Sequence, residues 1–158
     1  MKAFLLALPL ALMAATGVQA ADPIEKQVLI TATVPTAAFY VEPVGGNWMN
    51  DPQDMAWNPV SSSFYPINKQ LQAKSTIGPI TARLLSPASI VSGIDAIDLN
   101  VRVGATDLST TAQVVLPQAQ AAAGSLMDFV VEAQSPAGGY KPGAYQGLVS
   151  MMFETAAP

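Results

Sequence analysis

The chain has 158 residues, with 11 acidic and 7 basic side chains and a net charge of −4. An acidic chain lacks the basic surface that binds nucleic acids or anionic lipids, so neither is an expected partner. Histidine and cysteine are both absent, which removes the usual general base near neutral pH, zinc–thiolate sites and disulfides.

Charged residues make up only 11% of the chain, against a usual value of about 25%. This shortage has two open interpretations. Part of the surface is covered by another molecule, or the chain is an ordinary, weakly charged β-domain.

The first 20 residues have the pattern of a secretory signal peptide. One lysine precedes an apolar run, and the segment ends in small residues. Cleavage is expected after Ala20, and cleavage after Ala21 is the less favoured alternative. The apolar run is too short for a comfortable membrane span. We therefore expect an exported mature chain of roughly 138 residues that forms one domain and does not insert in a membrane.

The first strand of the mature chain is predicted at residues 24–34. Apolar residues alternate there with more polar ones, at Ile24, Val28, Ile30, Ala32 and Val34, and Lys26 interrupts the row. Chain termini are usually loose and polar, so an apolar strand at this place needs an explanation. From the residues alone, it is an ordinary first strand that pairs within its own domain.

Further strand-like runs follow, separated by turn residues. They lie at residues 38–42, 64–74, 79–85, 96–104, 111–117, 127–134 and 144–154, with a brief strand at 55–57 and one helical turn before Gly124. The clearest is 96–104, where Ile97, Leu99, Val101 and Val103 alternate with polar residues. The chain is therefore predicted to be an all-β, immunoglobulin-like antiparallel β-sandwich.

The last predicted strand carries apolar residues on both faces. One face holds Tyr145, Gly147, Val149, Met151 and Phe153, and the other holds Leu148 and Met152. A strand with one face in solvent shows a cleaner alternation of apolar and polar residues. The ordinary explanation is a central strand with some exposed apolar surface.

Three sequence patterns give weak evidence for a catalytic, metal-binding or sugar-binding site. "NWMNDPQ" resembles the box of invertase-type glycosidases, in which Asp51 would be the nucleophile, but such catalysis needs a second carboxyl group at a fixed distance. Two carboxylate pairs, Asp51/Asp54 and Asp95/Asp98, are spaced for a calcium site but lack its ligand density. Ordinary turns explain this motif and both carboxylate pairs better, so we expect neither enzyme activity nor a cofactor.

A third pattern is the pair Trp48 and Trp57. The two indoles could form a surface on which a sugar stacks, or they could cap a core or a subunit contact. A monomeric, secreted carbohydrate-binding β-sandwich therefore stays open as an alternative function.

Several segments together resemble the major subunit of CS1-type (alpha-class) fimbriae, which include the colonisation-factor pilins and cable pili. The resemblance lies in "IEKQVLITATV", "PITARLLSP", "VRVGATDLSTT" and "PGAYQGLVSMMFE", in that order, and in the absence of cysteine. It covers nearly the whole mature chain and is least in the loop "GGNWMNDPQDMAWNP".

The resemblance implies an immunoglobulin-like sandwich that is incomplete, because it lacks one strand. It divides the chain into a signal peptide (1–20), an N-terminal donor-strand extension (21–35) and a pilin domain (36–158). In the fibre, Ile24, Val28, Ile30, Ala32 and Val34 of one subunit would fill the groove of the next. The groove wall would be the C-terminal strand, with Tyr145, Gly147, Leu148, Val149, Met151 and Phe153.

The resemblance also implies partners and a location. The partners are further copies of the chain in a head-to-tail polymer, a periplasmic chaperone that pairs with the C-terminal strand, an outer-membrane usher and a tip adhesin subunit. The chain would pass through the periplasm to a fimbria on the surface of a Gram-negative bacterium. It would be a structural major subunit that supports adhesion, or alternatively a minor subunit of the same fibre.

Overall fold

The computed structural model describes residues 38–156. The predicted signal peptide, with its cleavage at Ala20 or Ala21, and the predicted donor strand at 24–34 lie outside the described residues.

Eleven strands and one short helix make up this range. The first half of the chain contains β1 Phe39–Pro43, β2 Trp57–Asn58, β3 Ser63–Phe64, β4 Ile67–Ser75, β5 Ile80–Leu84 and β6 Ser89–Ser92, with a 3₁₀ turn at Trp48–Asn50. The second half contains β7 Asp95–Val103, β8 Thr106–Asp107, β9 Gln113–Leu116, α1 Gln118–Ala123, β10 Ser125–Ala133 and β11 Met151–Thr155.

The strands form two main sheets, and every pairing in them is antiparallel. The larger sheet has the order β1-β4-β10-β7-β6, and β8 also pairs with β7. The smaller sheet has the order β11-β5-β9, and β2 and β3 form a separate hairpin. The prediction of an all-β antiparallel sandwich is confirmed.

The core lies between the inner faces of the two sheets. Successive side chains of a strand point to opposite faces of its sheet, so every second residue faces the core. In β7, Ile97, Leu99, Val101 and Val103 are buried, as the sequence predicts. Inward rows on the other long strands and on the smaller sheet join the same cluster, at Leu71, Ala73, Met127, Phe129, Val131, Ile80, Ala82 and Leu84. Packing between facing rows therefore replaces disulfides as the link between the sheets.

One buried hydroxyl ties the two sheets together. Ser75, at the end of β4, is fully buried, and its Oγ accepts hydrogen bonds from the backbone N–H groups of Ile77 and Gly78 at 3.3 and 3.2 Å. The Ser75 hydroxyl lies 2.7 Å from Thr155 Oγ1 of β11, which donates to the Pro79 carbonyl at 3.0 Å. A single side chain thus holds both the turn into β5 and the end of β11.

Replacing this hydroxyl should be costly. In Ser75→Ala the N–H groups of Ile77 and Gly78 and the hydroxyl of Thr155 lose a partner, so we expect the free energy of unfolding to fall by about 1–3 kcal/mol. Urea denaturation followed by intrinsic fluorescence measures it. Ser61→Ala is the control, since the Ser61 side chain is exposed and contacts only the hydroxyl of Ser63. Equal stability of both variants would contradict the role given to Ser75.

Some element boundaries differ from the sequence prediction. The brief strand expected at 55–57 is a two-residue strand at Trp57–Asn58, and β6 and β8 had no counterpart in the prediction. The predicted helical turn is α1, which ends at Gly124 with φ of 83°, a conformation that glycine adopts without strain. The prediction of a continuous strand over 144–154 is wrong, because the ladder with β5 begins only at Met151.

Candidate functional site

At the ends of the two sheets, three strands pair with a single neighbour among residues 38–156. In the larger sheet β1 pairs with β4 alone, and in the smaller sheet β11 and β9 each pair with β5 alone. An open edge presents unpaired N–H and C=O groups and is a template for another strand. Of these three edges, β11 is the one that carries the predicted groove residues Met151 and Phe153.

The hydrogen-bond pattern fixes which groups of β11 face its open edge. Leu85 N–H, which directly follows β5, donates to the Ser150 carbonyl at 2.9 Å, so the main-chain groups of Ser150 face β5. Because bonded pairs alternate in antiparallel ladders, the main-chain groups of Met152 and Glu154 also face β5. Those of Met151, Phe153 and Thr155 face the open edge.

The inward side chains of β11 are apolar and only half-buried. Met151 and Phe153 point inward from β11 and pack against the core, and Val149 precedes them. On β1, Val41 packs against the same core and is also half-buried. Where a sheet edge is open, half-buried apolar residues form a surface that another apolar strand can cover.

The remaining residues of the predicted groove wall lie before β11. Tyr145 is half-buried, Gly147 is exposed and Leu148 is 79% exposed. This segment turns away from β5 because Gln146 pairs with Val91 of β6, exchanging hydrogen bonds of 2.9 and 3.0 Å. The structure thus places Val149, Met151 and Phe153 together against the core, while Gly147 and Leu148 are not part of the β11 ladder.

Gly147 lies directly on β6. A Cβ at this position would meet the Ser89 carbonyl oxygen at 2.2 Å and the Ile90 Cα at 3.0 Å. No neighbour can yield here, since both contacts are main chain. Only glycine therefore lets the chain cross β6 on its way into β11.

The segment is held at its other end by an ion pair. Lys141 Nζ lies 2.6 Å from Asp95 Oδ1, at the start of β7. The hydrogen bond to Asp95, followed by its negative charge, raises the pKa of Lys141 above its ordinary value of 10.5, against a smaller opposing effect of desolvation. Tyr145 OH also donates to the Lys141 carbonyl at 3.1 Å. We call residues 141–147 the edge strap.

The ion pair predicts a pH dependence. Since the folded chain holds the Lys141 proton more tightly than the unfolded chain does, its stabilisation is fully present below pH 10.5 and is lost as the pH rises through the raised pKa. We expect Lys141→Gln to be less stable than the wild type near neutral pH and equally stable in strong alkali. Urea denaturation across this range measures the difference. A difference that persists in strong alkali, or an equal one in Lys74→Gln, would contradict it.

The two tryptophans do not share one surface. Trp48 is buried, and its ring stacks on Phe129 at 5.3 Å between centroids. Trp57 is 44% exposed and meets Phe64 and Tyr140 edge to face, at 5.1 and 5.4 Å. The proposed sugar-stacking pair is therefore wrong, because Trp48 fills the core.

The acidic residues singled out in the sequence do not assemble into a site. Asp51 is exposed, and Asp95 is engaged by Lys141. Across residues 38–156, no three acidic side chains lie close enough together to hold a metal ion. Over the same range, none of the helices has the length and apolar character needed to cross a membrane.

Residues 38–156 thus form an antiparallel sandwich with an open, apolar edge at β11. The chain matches the model of the family described as CS1 type fimbrial major subunit over residues 24–154, and it belongs to that family. A solved structure with the same fold is that of the CooA pilin subunit from enterotoxigenic Escherichia coli. It is 15% identical, with a TM-score of 0.63, and the match covers 74% of this chain and 86% of that chain.

A search of curated proteins found no match. The family membership makes this chain a structural pilin subunit, which assembles with other subunits into a pilus on the cell surface. The suspected resemblance to CS1-type pilins is confirmed.

Sequence reasoning missed the contacts of the edge strap. Lys141 and Asp95 are 46 positions apart, and nothing in the local sequence of either residue indicates the other. The only signal of a close approach was the pair of glycines at positions 143 and 147, in a segment that the sequence predicts to be loop and then strand.

Proposed function

We propose that the chain polymerises by donor-strand complementation: residues 24–34 of one subunit add to the β11 edge of the next. On this proposal the chain consists of a signal peptide (1–20), a donor strand (21–35) and a pilin domain (36–158). It serves as the major shaft subunit and has no catalytic role.

The observation that carries the proposal is the open edge of β11. Its outward main-chain groups belong to Met151, Phe153 and Thr155, and the first two of these side chains are half-buried apolar groups. An incoming strand bonds to such an edge through its main chain, while its alternate side chains enter the core. The row Ile24, Val28, Ile30, Ala32 and Val34 has the period of two that this geometry requires.

The free energy of burying the donor strand between two subunits favours slow dissociation. Burying a valine or isoleucine side chain contributes about 1.5–3 kcal/mol, so four such residues contribute on the order of 6–12 kcal/mol. Association entropy offsets part of this gain. The remainder is consistent with a durable fibre in a chain without cysteine.

An uncovered β11 edge is an aggregation hazard before assembly. We therefore propose that a periplasmic chaperone covers β11 with a strand of its own. An outer-membrane usher then exchanges the chaperone strand for the N-terminal arm, residues 24–34, of the next subunit. A tip adhesin subunit would end the fibre, and the chain would reach the cell surface through the periplasm.

The test removes the arm and supplies it in trans. We expect the mature chain to form fibres, and a chain that lacks residues 21–34 to form none and to be less stable. A synthetic peptide of residues 22–35 should convert the shortened chain into a capped, stable monomer. A peptide with Ile30→Asp is the matched control, since a charge at a buried position prevents insertion.

Size-exclusion chromatography and negative-stain electron microscopy measure the outcome. A mature chain that stays a monomer, and a shortened chain that ignores the peptide, would overturn the proposal.

A further inference from the structure

The larger sheet ends at β6, and this edge is covered within the subunit. Val91 N–H and C=O both point away from β7, and both are bonded to Gln146, at 2.9 and 3.0 Å. Gly147 then lies against the main chain of Ser89 and Ile90, too close to admit a side chain. The hydrogen-bonding groups at the centre of this edge are thus occupied by the subunit's own chain.

Uncovered, β6 would be a favourable template for a further strand. Its sequence, Ser-Ile-Val-Ser, is uncharged and β-branched at the centre, and Val91 is 51% exposed. Edges that are neutral, β-prone and free of proline lack the charges and breaks that prevent pairing with other chains. The sequence of the arm, residues 24–34, has the apolar period of two that fits an edge of this kind.

The cover is anchored on both sides of its two central hydrogen bonds. On one side Lys141 pairs with Asp95, which directly follows the turn after β6. On the other side the chain continues from Gly147 into β11 and its ladder with β5. The edge strap is therefore held by β6 at its centre, by Asp95 of β7 on one side and by the ladder with β5 on the other, although most of its side chains are exposed.

We propose that the edge strap, residues 141–147, blocks strand addition at β6, so that the arm of another subunit does not pair there. This inference rests on the proposed donor-strand function, and it adds the residues that close one further edge of the larger sheet. Each edge that accepts an arm is a point at which a fibre can branch, and the strap removes β6 from these points.

The experiment traps the arm on β6 in the full mature chain. Since the chain has no cysteine, Val91→Cys and Ile30→Cys introduce one thiol on β6 and one on the arm. The strap is loosened by Lys141→Ala with Gln146→Pro, which remove the ion pair and the Gln146 N–H. The matched control is Lys74→Ala with Ala137→Pro, because Ala137 lies at the second position of the Pro136–Gly139 turn, where proline is favoured.

Non-reducing electrophoresis and peptide mass spectrometry measure the links between positions 91 and 30 of different subunits. We expect these links to be rare in the intact and control chains and to increase about tenfold or more when the two hydrogen bonds and the ion pair are weakened. Electron microscopy should show unbranched fibres changing to branched ones. An unchanged number of links in a folded, loosened chain would overturn the inference.

A second variant decides the question if the loosened chain does not fold. Val91→Cys with Gln146→Cys locks the strap, since residues of a bonded antiparallel pair lie about 5.5 Å apart at Cα, within disulfide range. The locked chain should form unbranched fibres at the yield of the wild type. Loss of fibres on locking, restored by reduction, would overturn the inference, because β6 would then have to open.

The wild-type chain, with and without residues 21–34, is measured in parallel. Fibres that form equally well without the arm would count against the donor-strand function itself. Arm-dependent fibres with no extra links on loosening would count against the strap alone.

Discussion

Gly147→Ala is expected to lower the free energy of unfolding by at least about 3 kcal/mol, the upper end of ordinary overpacking. The added Cβ would lie 2.2 Å from the Ser89 carbonyl oxygen, so either β6 or the entry into β11 has to shift. Since typical domains are stable by only about 5–15 kcal/mol, we expect a sharp loss of soluble protein as well. Urea denaturation and the yield of soluble protein measure the effect.

Gly138→Ala is the control for this change. A Cβ at Gly138 meets nothing within 4 Å, and the residue lies in the same loop region. It should leave the free energy of unfolding within about 0.5 kcal/mol of the wild type. If both alanine variants were equally stable, the close passage over β6 would not be a constraint on the fold.

Phe129→Ala is expected to cost about 3–5 kcal/mol of folding free energy, the usual range for deleting a buried aromatic ring. Phe129 is 5% exposed on β10 and stacks on Trp48, so its removal leaves a cavity under that ring. Thermal and urea denaturation measure the loss. Trp48 fluorescence should change in the folded state as well, since the indole loses its neighbour.

Leu126→Ala on the same strand is the matched control. Leu126 is 60% exposed, so its truncation should cost less than about 0.5 kcal/mol. A small effect for Phe129→Ala, similar to that of Leu126→Ala, would mean that Trp48 and Phe129 do not form the core contact described above.

The long strands β4 and β7 could be predicted from the sequence because buried and more exposed residues alternate along them. In β7 the buried residues Ile97, Leu99, Val101 and Val103 alternate with the polar residues Asp98, Asn100 and Arg102, which indicates both the strand and its face. The fold class follows from such strands and from the turns between them. Short elements such as β6 carry too few residues for a period to be recognised.

The remaining differences come from contacts between distant residues. Nothing local indicates that Trp48 is buried under Phe129 and Trp57 is not, since both stand in loop-like sequence. Likewise, the pairing of Gln146 with Val91 decides where β11 begins, and it joins residues far apart in the chain. The inward face of Met151 and Phe153 was predictable, but the place at which their strand starts was not.

The position of β11 in the chain has a consequence for the timing of folding. Its partner β5, at Ile80–Leu84, is synthesised about 70 residues earlier than Met151–Thr155, the segment it pairs with. Closing so long a loop costs entropy before any pairing is gained. The β5–β11 ladder therefore cannot form until residues 151–155 have been synthesised. The smaller sheet is completed last, after every strand of the larger sheet is already available for pairing.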